Sequence, residues 1–222
     1  MKKATAILFG ASICIGVFGY YSMSSNTAIT TTSAPVPEVQ TSQPNTIVVK
    51  GVIAAKSKTE LVGESDVIIH GKVKELLPSA WSNPNGERGQ DVRNVIQTDV
   101  VVHVGKTFKG EPYAKDIAVR IEKGKVGNTT WVSEGYPDFT PGEEVVLFLC
   151  QDHRDVAVPQ ESYYVLTGML QGKFAHDPKH PEDKQLHNEK EAIDPTQLAD
   201  EIATEEEAYK KLPKPAKPQG NI

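Results

Sequence analysis

The stretch Asp138–Cys150, reading D-F-T-P-G-E-E-V-V-L-F-L-C, constrains the rest of the chain most. Pro141 presets φ for the first central position of a turn, and Gly142 supplies the left-handed conformation that a type II turn requires next. After Glu143 and Glu144 come six consecutive apolar residues, Val145 to Cys150. A strand with one wet face would alternate apolar and polar residues, so a run apolar on both parities predicts a strand covered on both faces. Such a strand belongs at the centre of a small β-barrel or sandwich.

Shorter β patterns surround it. Asp66–Leu76 predicts a strand with Val67, Ile69 and Val73 inward and His70, Lys72 and Lys74 outward. Asp91–Phe108 is the longest β segment; Ile96, Thr98, Val100, Val102 and Val104 share one face, and the alternation dissolves at Gly105. Asp116–Glu122 follows, then a short strand at Thr129–Ser133 carrying Trp131. Ser162–Gly168 reads as another, with Gly172–Ala175 expected to pair with it. Thr46–Ala55 reads as an edge strand interrupted at Lys50-Gly51. Turn-punctuated strands without interleaved long helices predict a mainly all-β fold.

Two helices are signalled. Ser57–Glu60 forms a capping box ahead of Leu61 and Val62, with Gly63 as the stop. Near the C-terminus Asp194 caps, Pro195 takes the first helical position and Gln197 completes a capping-box pattern. Leu198, Ile202 and Tyr209 form a thin apolar stripe, which predicts a helix packed over one end of the barrel.

The ends of the 222-residue chain read differently. Lys2 and Lys3 precede an uncharged stretch, Ala4 to Tyr21, the pattern of an export signal. Eighteen residues at about 1.5 Å each reach about 27 Å, barely a bilayer's width, so residues 1–23 read as a signal peptide or a retained membrane anchor. Residues 24–45 read as a disordered Ser/Thr/Pro-rich linker, 46–190 as the β-barrel domain, and 191–222 as the C-terminal helix with a Pro/Lys tail. The expected location is extracytoplasmic. With Cys14 in the signal, Cys150 is the only other cysteine, and its place in the apolar run reads as a small core hydrophobe.

Charge excludes one class of partner. Against 24 Lys+Arg stand 29 Asp+Glu, and no basic patch with interleaved aromatics is present, so nucleic acid is not expected. Three histidines, His176, His180 and His187, lie among Asp177, Glu182 and Asp183, the donors a divalent metal prefers. Pro178 and Pro181 break the segment, however, so these histidines cannot share a helical face and read as a charged surface loop; no metal or cofactor is expected. His70 and His103 fall on outward parities of adjacent strands and read as surface residues. No nucleophile elbow or phosphate-cradling glycine motif occurs, and Glu143 and Glu144, as strand neighbours, point to opposite faces. A non-enzymatic protein is the expectation. Trp81, Trp131 and Tyr136 lie in or beside predicted loops, as candidate binding anchors or as side chains folded back to cap the barrel.

The order of L-V-G-E-S-D-V-I-I-H-G-K-V (61–73), F-K-G (108–110), I-A-V-R-I (117–121), F-T-P-G-E-E-V-V-L-F-L (139–149) and Y-Y-V-L-T-G-M-L-Q-G-K-F (163–174) resembles a group of uncharacterised exported bacterial proteins. More distantly it is similar to the OB-fold barrel of the netrin-like module found in tissue inhibitors of metalloproteinases. That resemblance implies a five-to-seven-stranded OB-like β-barrel with a short N-terminal and a C-terminal helix. The inhibitors present an amino-terminal cysteine to the target's zinc and surround it with disulfides; this chain has neither, and a shared fold does not carry function. The resulting expectation is an exported interaction module for a protein or cell-envelope ligand, contacting the membrane through its N-terminal segment if that is retained. Its alternatives are a protease-inhibitor-like protein and a metal-binding protein using the 176–187 histidines.

Overall fold

The computed structural model describes residues 44–177 and 183–213. In chain order these form β1 (Asn45–Val49), α1 (Lys58–Glu64), β2 (Val67–Leu76), β3 (Ala80–Trp81), β4 (Ile96–Lys109), β5 (Asp116–Ile121), β6 (Gly124–Val126) and β7 (Thr129–Ser133). After these come β8 (Glu144–Cys150), β9 (Val165–Leu166), a 3-10 turn at Met169–Gly172, β10 (Lys173–Ala175), β11 (Leu186–His187), β12 (Ala192–Ile193) and α2 (Leu198–Tyr209). The fold is mostly β. Among the described residues no helix is long and apolar enough to cross a membrane.

The two-sided apolar run is β8, seated between β2 and β10 in the larger sheet. Its two parities enter two separate cores. Val145, Leu147 and Leu149 join Ile69, Val100, Val102 and Val119, while Val146 and Phe148 join Leu61, Ile68, Phe174 and Leu198. The second core is roofed by the helices, with Lys58 paired to Glu201 at 2.7 Å across them. The turn ahead of β8 forms as its residues dictate: Glu143 N donates to Thr140 O at 3.0 Å, and Gly142 takes φ 90°.

Neither sheet closes into a barrel. The larger runs β12-β11-β10-β8-β2-β4-β3, with β5 on β4 and β9 on β8; β1, β7 and β6 form a separate three-stranded sheet. The expected strand at Ser162–Gly168 shrinks to β9, and its predecessor Tyr164 makes a lone parallel bridge to Val119 of β5. A two-residue strand cannot ladder with both β8 and β5, so that seam stays a bridge. Nor does β10 pair with β9: it lies along β8, with Phe174 opposite Val146.

Other expectations shift for local reasons. Gly63 does not end α1. A Cβ there would sit 2.0 Å from Tyr209 Cγ, so this glycine is where the C-terminal helix approaches, and α1 runs on to Glu64 behind an intact Ser57–Glu60 capping box. Helix α2 starts later than expected, because Asp194 accepts from Thr196 N at 2.8 Å and Thr196 Oγ1 at 2.7 Å, closing a local turn instead of capping the helix. It covers the outer face of β8 and β2, not a barrel end. Strand β1 pairs parallel with β7 alone, and Lys50-Gly51 terminates it. Beyond it, the buried Gln171 side chain accepts from Lys56 N at 2.9 Å and donates to Ala54 O at 3.0 Å, holding the chain as a neighbouring strand would.

Candidate functional site

Loops at strand ends carry sites when a rigid frame fixes them. Here the segment 151–163, between β8 and β9, is fastened by every arginine in the chain: Arg88, Arg93, Arg120 and Arg154. Arg154 lies within it. Its Nε and Nη2 donate to Asp152 at 2.7 and 2.9 Å, and its Nη1 reaches Glu122 Oε1 and Tyr136 Oη, both at 2.5 Å. The Asp152 side chain is 2% exposed and that of Glu122 9%, so one guanidinium bridges two buried carboxylates. Tyr163 Oη donates to Asp152 Oδ2 at 3.1 Å and accepts from Val158 N at 2.9 Å.

The other three hold the segment from outside. Arg88 Nη1 donates to Val156 O at 3.0 Å and Ala157 O at 2.6 Å, and its Nη2 donates to Ser82 O. Arg93 clasps Asp155 with Nε and Nη2 at 3.0–3.2 Å. Arg120 forks onto Asp99 with two 2.7 Å bonds, reaches Glu161 at 2.7 Å, and stacks 3.8 Å above the Tyr163 ring. The planar five-donor head suits such multidentate, partly buried work better than a lysine ammonium.

The electrostatics follow. Burial raises the Asp152 carboxyl, but the hydrogen bonds and charge of Arg154 outweigh it and hold Asp152 below the usual carboxylate range. Burial pushes the Tyr136 phenol up to about 12. The Arg93 hydrogen bonds hold Asp155 down at about 2.

Two clefts flank the segment. One of about 470 Å3 has an apolar floor of Cys150, Val165, Leu166 and Met169, with Tyr136 and Arg154 on its walls. The other, of about 450 Å3, is walled by Tyr113, Tyr163 and Tyr164, with the Tyr113 and Tyr164 rings stacked at 5.3 Å. Gln151, Asp152 and His153 line both. Burial also raises the Cys150 thiol, which hydrogen-bonds Thr167. The thiolate is the nucleophile, so alkylation of Cys150 by iodoacetamide at pH 7 is expected to be at least about tenfold slower in the folded protein than in denaturant. Mass spectrometry of the Cys150 peptide reads it, and equal rates would contradict the placement.

The anticipated aromatic anchors separate. Trp81 and Trp131 meet edge to face at 6.4 Å, Trp81 on β3 and Trp131 on β7, the short strand expected at Thr129–Ser133, and Trp131 Nε1 is buried without a partner among the described residues. Tyr136 is buried under Arg154. Of the histidines, His187 bonds Asp183 at 2.9 Å, His176 lies 3.9 Å from Glu144, and His180 is outside the described residues. Glu144 instead takes His70 at 2.6 Å, and His103 takes Asp116 at 2.6 Å. Among the described residues no group of three or more His, Cys, Asp or Glu could hold a metal ion.

On composition alone Asp152-His153-Arg154-Asp155 reads as a loop where charges belong, and that reading is a bland one. The signal it passed over is scarcity: the 24 basic residues are 20 lysines and 4 arginines, and the scarce type converges on one segment. Comparison with known proteins yields no assignment: no protein family matches the chain, and no curated protein matches it in sequence.

Proposed function

We propose that this chain is an exported, non-enzymatic binding module whose ligand surface is the arginine-fastened segment 151–163 with its two flanking clefts. The observation that carries the reading is the convergence of all four arginines on that segment. Immobilising a charged loop costs conformational entropy, and a loop fixed in advance spares that cost on binding. The floor of the larger cleft is apolar and its rim charged, the usual make-up of a recognition pocket. Export rests on Lys2, Lys3 and the apolar stretch after them, which lie outside the described residues. An OB-like reading of the scaffold is supported by the strand order β5-β4-β2-β8-β9 and by the parallel bridge from Val119 to Tyr164.

The test is protein-observed NMR with a fragment library, which presupposes no ligand. Fragments are expected to shift amides of 151–163, Val165, Leu166 and Met169. Hits confined to the face around His70, Gly142 and Glu144, or none at all, would overturn the proposal.

A further inference from the structure

The C-terminal end of α2 and the tyrosine-walled cleft lie at the same end of the larger sheet. Helix α2 closes with Tyr209 against Gly63, and Glu206 pairs with Lys109 at 3.3 Å. Three residues beyond Gly63, the exposed Asp66 accepts from Gln151 N at 2.8 Å, and Gln151 lines the cleft. Gly110 also sits at Asp66, where a Cβ would fall 2.0 Å from Asp66 O, and Tyr113 of the cleft wall follows three residues later. Three residues span at most about 11 Å, so the path from Gly63 to the cleft is one short segment and one hydrogen bond.

The cleft is open and aromatic. Tyr113 is 45% exposed, its ring stacks on that of Tyr164, and its hydroxyl accepts from Ala118 N at 2.6 Å, so an exposed ring is held in a fixed position. Pro159 and Glu161 are exposed beside it. Among the described residues no lysine or arginine lines the cleft, whereas the Glu161 side chain is 52% exposed. Arg120 takes Glu161 Oε2 at 2.7 Å, and a carboxylate offers about four acceptor sites, so a second cation can join.

Residues 210–222 read K-K-L-P-K-P-A-K-P-Q-G-N-I, with four lysines, three prolines and no acid. Each proline fixes φ near its polyproline II value, and segments of that kind dock on aromatic-lined grooves at low entropic cost. In that conformation the nine residues 214–222 would reach about 28 Å at about 3.1 Å each, well past the short path from Gly63 to Gln151. The other proline-bearing stretch, 35–44, carries Glu38 and no lysine or arginine, so charge selects the C-terminal one. We infer that residues 214–222 of this chain dock in the cleft walled by Tyr113, Tyr163 and Tyr164, with their prolines on the aromatic wall and a lysine at Glu161. The inference rests on the binding-module reading and names an occupant of one of its clefts, one that an outside ligand must displace.

The experiment compares amide NMR spectra of the full chain and of a variant ending at Leu212. Expected are shifts at Tyr113 and within 151–164, reproduced in the full chain by Lys214→Glu combined with Lys217→Glu. These changes lie beyond the last helix, so Tm is expected to stay unchanged and misfolding cannot imitate the result. In a Tyr113→Ser background, removing the tail should no longer move 151–164. A synthetic peptide of residues 213–222 should return the truncated variant to the full-chain peak positions at about 1 mM, the order of effective concentration that a short tether supplies. If truncation moves only the last turn of α2 and its surroundings at Gly63 while fragments still map to 151–163, the tail inference falls and the module reading stands. Cleft shifts that ignore the lysine exchange, or that depend on protein concentration and so come from a second copy's tail, also overturn it. If neither the tail nor fragments touch 151–163, both readings fall.

Discussion

Arg154→Met is expected to lower folding stability by about 3–5 kcal/mol, the usual cost of stripping one partner from a buried ionic network. The substitution leaves Asp152 and Glu122, with side chains 2% and 9% exposed, facing each other's charge without a counter-ion, and removes a donor from Tyr136. Arg154→Lys should recover only part, since one ammonium cannot span both Asp152 oxygens, Glu122 and the phenol. Urea denaturation measures the loss. The pH dependence identifies its origin. In the native protein the Asp152 pKa lies below its unfolded value, so its contribution is fully present above the unfolded value of about 4 and is lost as pH falls through the lower, folded value. In Arg154→Met the unneutralised pair favours protonation instead, so the deficit should shrink on acidification toward pH 4. A deficit under about 1 kcal/mol, or one independent of pH, would mean that these carboxylates find other partners or water.

Phe148→Ala is expected to cost a similar 3–5 kcal/mol, for a different reason. Phe148 is fully buried on the helix-covered side of β8, its ring centroid 5.4 Å from that of Phe174, in the core that also holds Leu61 and Leu198. Truncation leaves a void that the sheet cannot collapse to fill, because β8 is held by β2 and β10 on either side. Amides of α1 and α2 should then exchange faster than those of β4 and β5, whose core is the other one. Uniform acceleration across all elements would show that the two cores melt as one.

The central strand was legible because its evidence is compositional and local: apolar on both parities, behind a Pro-Gly turn. The first capping box was legible for the same reason. What escaped depends on partners remote in sequence. Gly63 looks like a helix stop until Tyr209 arrives against it. Tyr163-Tyr164-Val165-Leu166 reads as one strand, but Tyr164 faces β5 while Val165 and Leu166 pair with β8, and alternation says nothing of a change of partner. The candidate site escaped for an electrostatic reason. Asp152 and Arg154 look solvated in a charged loop; they are drawn inward only because Glu122 and Tyr136, from elsewhere in the chain, complete their hydrogen bonding. Trp81 and Trp131 were singled out one at a time, and their contact across β3 and β7 is a product of topology.

The parallel pair β1–β7 has a mechanical consequence. No residue of β1 belongs to either core, and Val48 and Val49 are exposed, so a pull on the chain ahead of Asn45 loads a strand that peels from β7 without opening the main sheet. Freed residues lengthen the chain by about 3.3–3.6 Å each until the strain reaches the Gln171 side chain, which grips Ala54 and Lys56. Strand β1 is thus a shock absorber in series with a latch: under tension the molecule gives up length first and its cores last.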